Sequence, residues 1–352
     1  MSREAPSRGM LAEAFRSQAL GCASTGSPIY AELLARAGGD LAAGGVFAEI
    51  VADYRGHPLL DALALRIFAA VHALVLAGDA PALAAHYPSA GGRYEAEGAW
   101  RALHALARER RDDLRVAAVA RPVQTNEVRR CAVLLGGFLR VAHETGLPLR
   151  LREVGASAGL NLGWDRYRYA LGPQGWGEPR ARVVLGSDWS GALPPLAAPV
   201  RVASRAGCDV APIDLRDGEQ CRKLESFVWP EQLERLATLR AAIAALRPEP
   251  PPVEAAHAGD WVARELAAPA PGEATVLFHS VVWWYLSGAE RQRIDTDVRA
   301  AGARATPGAP LAWLRMEGAR LDEAELRLLL WPGGEDRLLA RTHWHGAWVH
   351  WL

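Results

Sequence analysis

The 352-residue chain predicts an α/β protein: an all-helical stretch, then a mostly parallel sheet closed by an antiparallel hairpin. Three observations predict it. Residues 1–145 carry only helix-like patterning. Beyond Gly146, short β-like runs alternate with helical segments, the pattern of parallel strands joined by crossover helices. Near the C-terminus, two apolar runs flank Gly333-Gly334-Glu335-Asp336, which reads as a hairpin adding an antiparallel edge. The sequence therefore divides into a helical region at 1–146 and an α/β domain at 147–352.

The elements follow in order. Residues 11–20 and 28–37 are rich in alanine and leucine, and 59–76 are apolar on nearly every face. Segments 94–111 and 127–145 keep the helical period, with Thr125-Asn126-Glu127 as the start signal of the second. Strands are expected at 148–154 and 199–204, and a hairpin at 168–171 and 181–185 around the turn 172–177. A helix at 228–245 starts at Trp229-Pro230 and stops before the proline run 248–252. Then come a strand at 253–257, a helix at 261–267, a β-rich run at 275–282, a helix at 290–301 and a strand at 310–316. Residues 326–331 and 338–351 form the closing hairpin.

Composition narrows the function. Forty basic residues balance forty acidic ones, so no net field draws the chain to nucleic acid or anionic lipid. The four cysteines, Cys22, Cys131, Cys208 and Cys221, form no C-x-x-C pair, which speaks against a zinc site or a disulfide framework. The start, Met1-Ser2-Arg3-Glu4-Ala5-Pro6, has no apolar signal core. The most apolar stretch, 59–77, is interrupted by Asp61, Arg66 and His72 and falls short of the ~20 residues of a membrane span. A cytoplasmic protein is expected, with a small-molecule substrate and neither nucleic-acid nor membrane partner.

The most informative segment is Glu153-Val154-Gly155-Ala156-Ser157-Ala158-Gly159-Leu160-Asn161. A strand ends in a carboxylate, then come Gly-x-Ser-x-Gly and a helix-forming stretch. In nucleotide-binding α/β sheets this geometry brings backbone close to a ligand at the carboxyl edge of the first strand. The pattern resembles the first motif of class I S-adenosylmethionine methyltransferases, with Ser157 in place of the central glycine. The resemblance implies a Rossmann-like methyltransferase-type sheet and S-adenosylmethionine as cofactor, with Glu153, Gly155, Ser157, Gly159 and Asn161 at the ligand. It places Asp260 and Trp261, at the end of the third strand, near the adenine. Asp260 also reads as a helix N-cap. The acid for the ribose hydroxyls is displaced: the second strand comes some forty residues after the loop, where about twenty is usual. Asp209 is the first choice there and Asp214 the second. The reacting group falls at Phe278-His279-Ser280-Val281-Val282-Trp283-Trp284-Tyr285, with His279 as the base and Glu127 and Tyr285 as further candidates.

The chain also resembles an uncharacterised bacterial family catalogued as domain of unknown function 2332. The residues that carry this are Thr125-Asn126-Glu127, the segment from Glu153 to Leu162 with Asp165-Arg166-Tyr167, and His279-Ser280-Val281-Val282-Trp283. Gly26-Ser27-Pro28-Ile29-Tyr30 and Tyr87-Pro88-Ser89 belong to it too. The resemblance spans nearly the whole chain and implies no activity of its own.

Two alternatives stand beside the methyltransferase reading. Gly155-Ala156-Ser157-Ala158-Gly159 is also a literal nucleophile elbow, so Ser157 with Asp260 and His343, His345 or His350 would make an α/β-hydrolase triad. Against it stand the lack of strands before the elbow, the lack of an upstream His-Gly-Gly segment, and Glu153, whose charge opposes an oxyanion. The other alternative is a ligand-binding scaffold without turnover. The thirteen tryptophans read first as packing. His343 and His345 share a strand face and are too few for a metal site.

Overall fold

The computed structural model describes residues 5–120, 123, 125–320 and 323–352. Met1 to Glu4, part of the N-terminal reading, lie outside them. The chain forms two compact units, Met1–Thr125 with Asp217–Ala237 and Asn126–Arg216 with Thr238–Leu352.

The first unit holds α1 (Arg8–Ser24), α2 (Pro28–Ala43), α3 (Val46–Ile50), α4 (Leu63–Ala77), α5 (Pro81–Ala84), α6 (Ala96–Glu109) and α7 (Arg111–Ala120). Helix α8 (Arg130–Thr145) opens the second unit, and α9 (Gly218–Ser226) returns to the first. Ser7 and Ser27 cap α1 and α2 by accepting the amides of Met10 and Tyr30. Phe15, Leu33, Phe47, Ile67, Phe68 and Leu103 form the core, each worth ~1.5–3 kcal/mol of burial. The segment 94–111 breaks at Arg110, the C-cap of α6, so the periodic run is two helices. The expected helix 228–245 begins instead at Leu233, because Trp229-Pro230 sits in the turn after α9.

The unit boundary at 125/126 differs from the expected one at 146, and packing explains why. Helix α8 lies on the sheet of the second unit, against β-strands named below, and is buried from Arg130 through Leu139. Gly136 and Gly137 permit that approach: an added Cβ would sit 2.2 Å from the Trp351 ring and 2.3 Å from Leu314. Its N-cap position is Arg129, without a side-chain cap. Thr125-Asn126-Glu127 is therefore not the capping signal of α8, and Asn126 has another task.

The second unit is built on one sheet of eleven strands among the described residues, in the order β3-β2-β4-β11-β10-β9-β8-β7-β1-β5-β6. They are β1 (Leu149–Val154), β2 (Arg168–Leu171), β3 (Gln174–Trp176), β4 (Val184–Gly191), β5 (Val202–Asp209), β6 (Val253–Ala255), β7 (Ala274–Ser280), β8 (Leu311–Gly318), β9 (Ala324–Trp331), β10 (Glu335–Thr342) and β11 (Trp348–Trp351). Strands β6, β5, β1, β7 and β8 are mutually parallel. Helix α10 (Leu233–Leu246) precedes β6, while α11 (Ala258–Glu265) and α12 (Gly288–Gly302) flank β7 in sequence. Both faces of β7 are covered and all its residues are buried, as a central parallel strand requires. The chain places β5 and β6 to one side of β1 and then β7 and β8 to the other. The carboxyl ends of β1 and β7 are thus a topological switch point, where open α/β sheets bind ligands.

Two strand expectations and one helix expectation change. The hairpin after β1 is β2–β3, and β4 pairs with β2 in parallel. The run 338–351 breaks into β10 and β11, so the closing hairpin is an antiparallel meander from β8 to β11. No α-helix follows the glycine loop: residues Leu160–Arg166 form a 3-10 helix, which leads to β2.

Candidate active site

The switch point carries a glycine loop whose amides are engaged from Ala156 to Leu160. Ala156 donates to the Cys208 carbonyl at 3.0 Å and Gly159 to the Ala156 carbonyl at 2.7 Å. Ser157 donates to Asp209 Oδ2 at 3.0 Å. Asn126 Oδ1 receives the amides of Ala158 at 3.3 Å and Leu160 at 3.0 Å. Asn126 thereby caps the 3-10 helix, in the role the sequence suggested for α8. Amides held this way do not also cradle a phosphate or an oxyanion.

The loop is conformationally forced. Gly155 has φ +69°, and a Cβ there would sit 2.5 Å from Val282. Ser157 and Val281 occupy the left-handed region at φ 52° and 57° without being glycine. A β-branched residue there is an outlier, with a strain of about 1–3 kcal/mol that surrounding structure must hold. Both positions lie just past the carboxyl ends of the two central strands.

Glu153, at the end of β1, is 1 % exposed. Its Oε1 accepts from Asn161 Nδ2 at 3.3 Å, and its Oε2 is buried without a partner. Burial pushes its carboxyl well above the usual carboxylate range; Asn161 and Arg130 pull it down, and Asp209 adds to the rise. Arg130 itself donates to the carbonyls of Ser280 at 2.9 Å and Trp344 at 3.2 Å. Glu127, also buried, accepts the Arg129 amide at 3.2 Å. The Cys131 thiol, raised first by burial, is raised further by Glu153 and Glu127, so both carboxylates border one buried polar cluster.

His279, at the end of β7, is 1 % exposed and stacks on Trp283 at 4.8 Å and 9°. Its Nδ1 lies 2.6 Å from Glu317 Oε1. That oxygen also accepts the amides of Val282 at 3.0 Å and Trp283 at 3.3 Å. An oxygen accepting these amides accepts from the imidazole too, so Nδ1 carries the hydrogen and Nε2 holds the lone pair of the neutral ring. Nε2 is buried without a partner. A carboxylate that fixes the tautomer and leaves the other nitrogen open is the arrangement of a general base.

Register places the two centres on opposite faces. Glu153 pairs with Phe278, which packs edge-on against Phe138 of α8 at 5.0 Å. His279, the next residue, points to the other face, where Trp313 lies 6.1 Å away.

The remaining expected residues scatter. Gly155, Ser157, Gly159 and Asn161 stand with Glu153. Asp209 holds the amides of Ser157 and Ala211, the latter at 2.9 Å, and so braces the loop. Trp261 is 1 % exposed inside an apolar core of Val262, Leu277, Ile294 and Trp313. Asp260 is exposed and bonded to Arg293 at 2.7 Å; the N-cap of α11 is His257. Tyr285 is exposed and meets Trp284 edge-on. Of the residues offered for a triad, Asp260 is bonded to Arg293 and His350 to Ser190 at 3.0 Å on β4, and His343 and His345 lie in the β10–β11 loop with rings 5.4 Å apart. Among the described residues no three His, Cys, Asp or Glu side chains group as metal ligands.

Sequence reasoning missed Glu317, Arg130 and the true role of Asn126. Glu317 had a signal of the kind already used for Glu153, a carboxylate closing a β-rich run. Arg130 and Asn126 act through tertiary contacts that no local pattern announces.

Fold and site define a mixed α/β protein with a buried polar centre at the carboxyl edge of its parallel strands. A family model described as "Uncharacterized protein conserved in bacteria (DUF2332)" matches residues 12–351, and the chain belongs to that family. No curated protein and no solved structure matches it. No helix among the described residues is long and apolar enough to cross a membrane.

Proposed function

We propose that the second unit is an S-adenosylmethionine-dependent methyltransferase acting on the oxygen or nitrogen of a small-molecule acceptor. The observation that carries this reading is a pair of orphaned polar atoms, Glu153 Oε2 and His279 Nε2, at the ends of the two central strands. The residues fit the cofactor through side chains. Glu153 offers a buried acceptor for a ligand ammonium or hydroxyl, whereas the loop amides and Asp209 are engaged within the protein. The cofactor supplies an activated methyl group, and the rest is positioning and proton removal. His279 Nε2 takes the acceptor's proton, Glu317 holds the ring and stabilises the imidazolium, and the aromatic wall of Trp283 and Trp313 keeps water from the base.

The serine-hydrolase alternative loses ground at one atom. The amide after Ser157, which an elbow needs for its oxyanion hole, is bonded to Asn126. The scaffold alternative draws on the same engaged amides, since a closed loop presents less backbone to a ligand. Calorimetry decides between scaffold and cofactor site. S-adenosylmethionine or its demethylated product should bind the full chain, and Glu153→Ala should weaken binding at least about tenfold, the loss of a hydrogen bond to the ligand's charged ammonium of ~1.5–3 kcal/mol. No heat of binding at millimolar ligand would remove the cofactor reading.

A further inference from the structure

The helical unit holds a second set of chemistry-bearing groups. His72, in α4, is fully buried. Its Nδ1 lies 3.1 Å from the carbonyl oxygen of Ser226 and its Nε2 2.8 Å from Ser89 Oγ. A carbonyl only accepts, so Nδ1 carries the hydrogen and Nε2 of the neutral ring receives the Ser89 hydroxyl. Nucleophile, base and orienting group thus stand in sequence, the arrangement that activates a serine. Ser89 sits in the 3-10 turn Pro88–Ala90 and is partly exposed, while its base is shielded.

One orphaned polar atom borders this pair, and the carboxylate that carries a second acts on it through charge. Tyr87, fully buried, meets the His72 ring edge-on at 5.6 Å, and its hydroxyl has no partner. Burial, then Glu231 and Tyr94, push its phenol up, so it keeps its proton and is a donor. Glu231 Oε1 is held by the Ser27 hydroxyl at 2.7 Å and the Ile29 amide at 3.1 Å, while Oε2 is buried without a partner. The segments Gly26-Ser27-Pro28-Ile29-Tyr30 and Tyr87-Pro88-Ser89, which carry part of the family resemblance and which the methyltransferase reading leaves idle, converge here.

We propose that Ser89 is the nucleophile of an acyl-transfer site, with His72 as its base, for a small carboxylic ester bearing a hydroxyl or ammonium group. Ser89 Oγ bonds to the acyl carbon as its proton passes to His72 Nε2. The ester carbon–oxygen bond breaks, and the alcohol leaves with that proton. Water then gives a proton to Nε2 and its oxygen attacks the acyl carbon; Ser89 leaves as the hydroxyl, recovering the proton, and the acid departs. Tyr87 donates to the carbonyl oxygen as charge gathers there, and Glu231 Oε2 receives the substrate's donor group.

The test is a fluorophosphonate probe on the full chain, read by peptide mass mapping. A stoichiometric adduct on Ser89, absent in Ser89→Ala, is expected. Labelling should slow about 100-fold in His72→Gln. Because a buried imidazole also packs, Tyr87→Phe is the second arm: it keeps the ring, should preserve the circular dichroism spectrum, and should also slow labelling about 100-fold. A folded wild-type chain that takes no adduct on Ser89, or takes it on Ser157, overturns the proposal. So does an adduct on Ser89 that forms as fast in both variants. Cofactor binding at the sheet edge is a separate measurement on a separate unit, so either reading can fail alone.

Discussion

Glu153 illustrates what a single buried carboxyl does to the chain around it. Its ordinary value of 4.5 is raised in the folded state, first by burial. Below pH 4.5 both folded and unfolded chains carry the proton, and folding feels no penalty. As pH rises through that value the unfolded chain releases its proton, whereas the folded chain keeps it or buries a charge. The unfolded state then binds fewer protons, so stability falls with rising pH up to the raised folded value. Glu153→Gln removes that slope and keeps the donor–acceptor shape toward Asn161. The variant's melting temperature should therefore exceed the wild type's by a margin that widens from pH 4 to pH 8. A constant or shrinking margin would show that the carboxyl is not held neutral by burial. Strain and buried polarity of this kind gather at functional sites, where a ligand completes them.

At the scale of elements, the glycine loop and its brace explain each other. The loop turns sharply through Gly155 and Ser157, and its amides need partners that neither helix nor strand supplies. Asn126 supplies two of them across 32 and 34 residues of sequence. Asn126→Ala should leave both amides buried and unpaired, at a cost of ~1–3 kcal/mol for each group left unsatisfied, read as a lower urea midpoint. Asn126→Asp, which keeps an acceptor, should recover most of the loss. Recovery of nothing by Asp, or no loss in Ala, would mean that the loop does not depend on this cap. Here the limits of sequence are plain. The strand before the loop, the glycines and the acid at 153 were legible because they obey local rules of period and turn. The partner of the amides was not, since Thr125-Asn126-Glu127 looks like a helix start and only tertiary packing sends Asn126 elsewhere. Trp261 failed for the converse reason: an aromatic after a strand looks the same whether it lines a pocket or fills a core.

Across the molecule, alternation of strands and helices announced a mostly parallel sheet, and the Gly333-Gly334 turn announced its antiparallel strands, which lie not at an edge but inside the sheet, since β4, β2 and β3 continue it beyond β11. Two features stayed hidden. The chain leaves β1 for β2, β3 and β4 at the far end of the sheet before returning to β5 beside β1, and no periodicity records such a detour. Residues 217–237 belong to the helical unit although they lie within the α/β stretch of sequence, because their apolar faces find partners that segment boundaries cannot reveal. On the proposed function, the carboxyl ends of β1 and β7 form the ligand site. This claim is tested most directly by hydrogen–deuterium exchange of the full chain with and without S-adenosylmethionine. Binding should change exchange at residues 153–161 and 279–285, and Glu153→Ala should abolish the change at the same ligand concentration. An exchange map that the ligand leaves unaltered, or alters only away from these two strand ends, would contradict the claim.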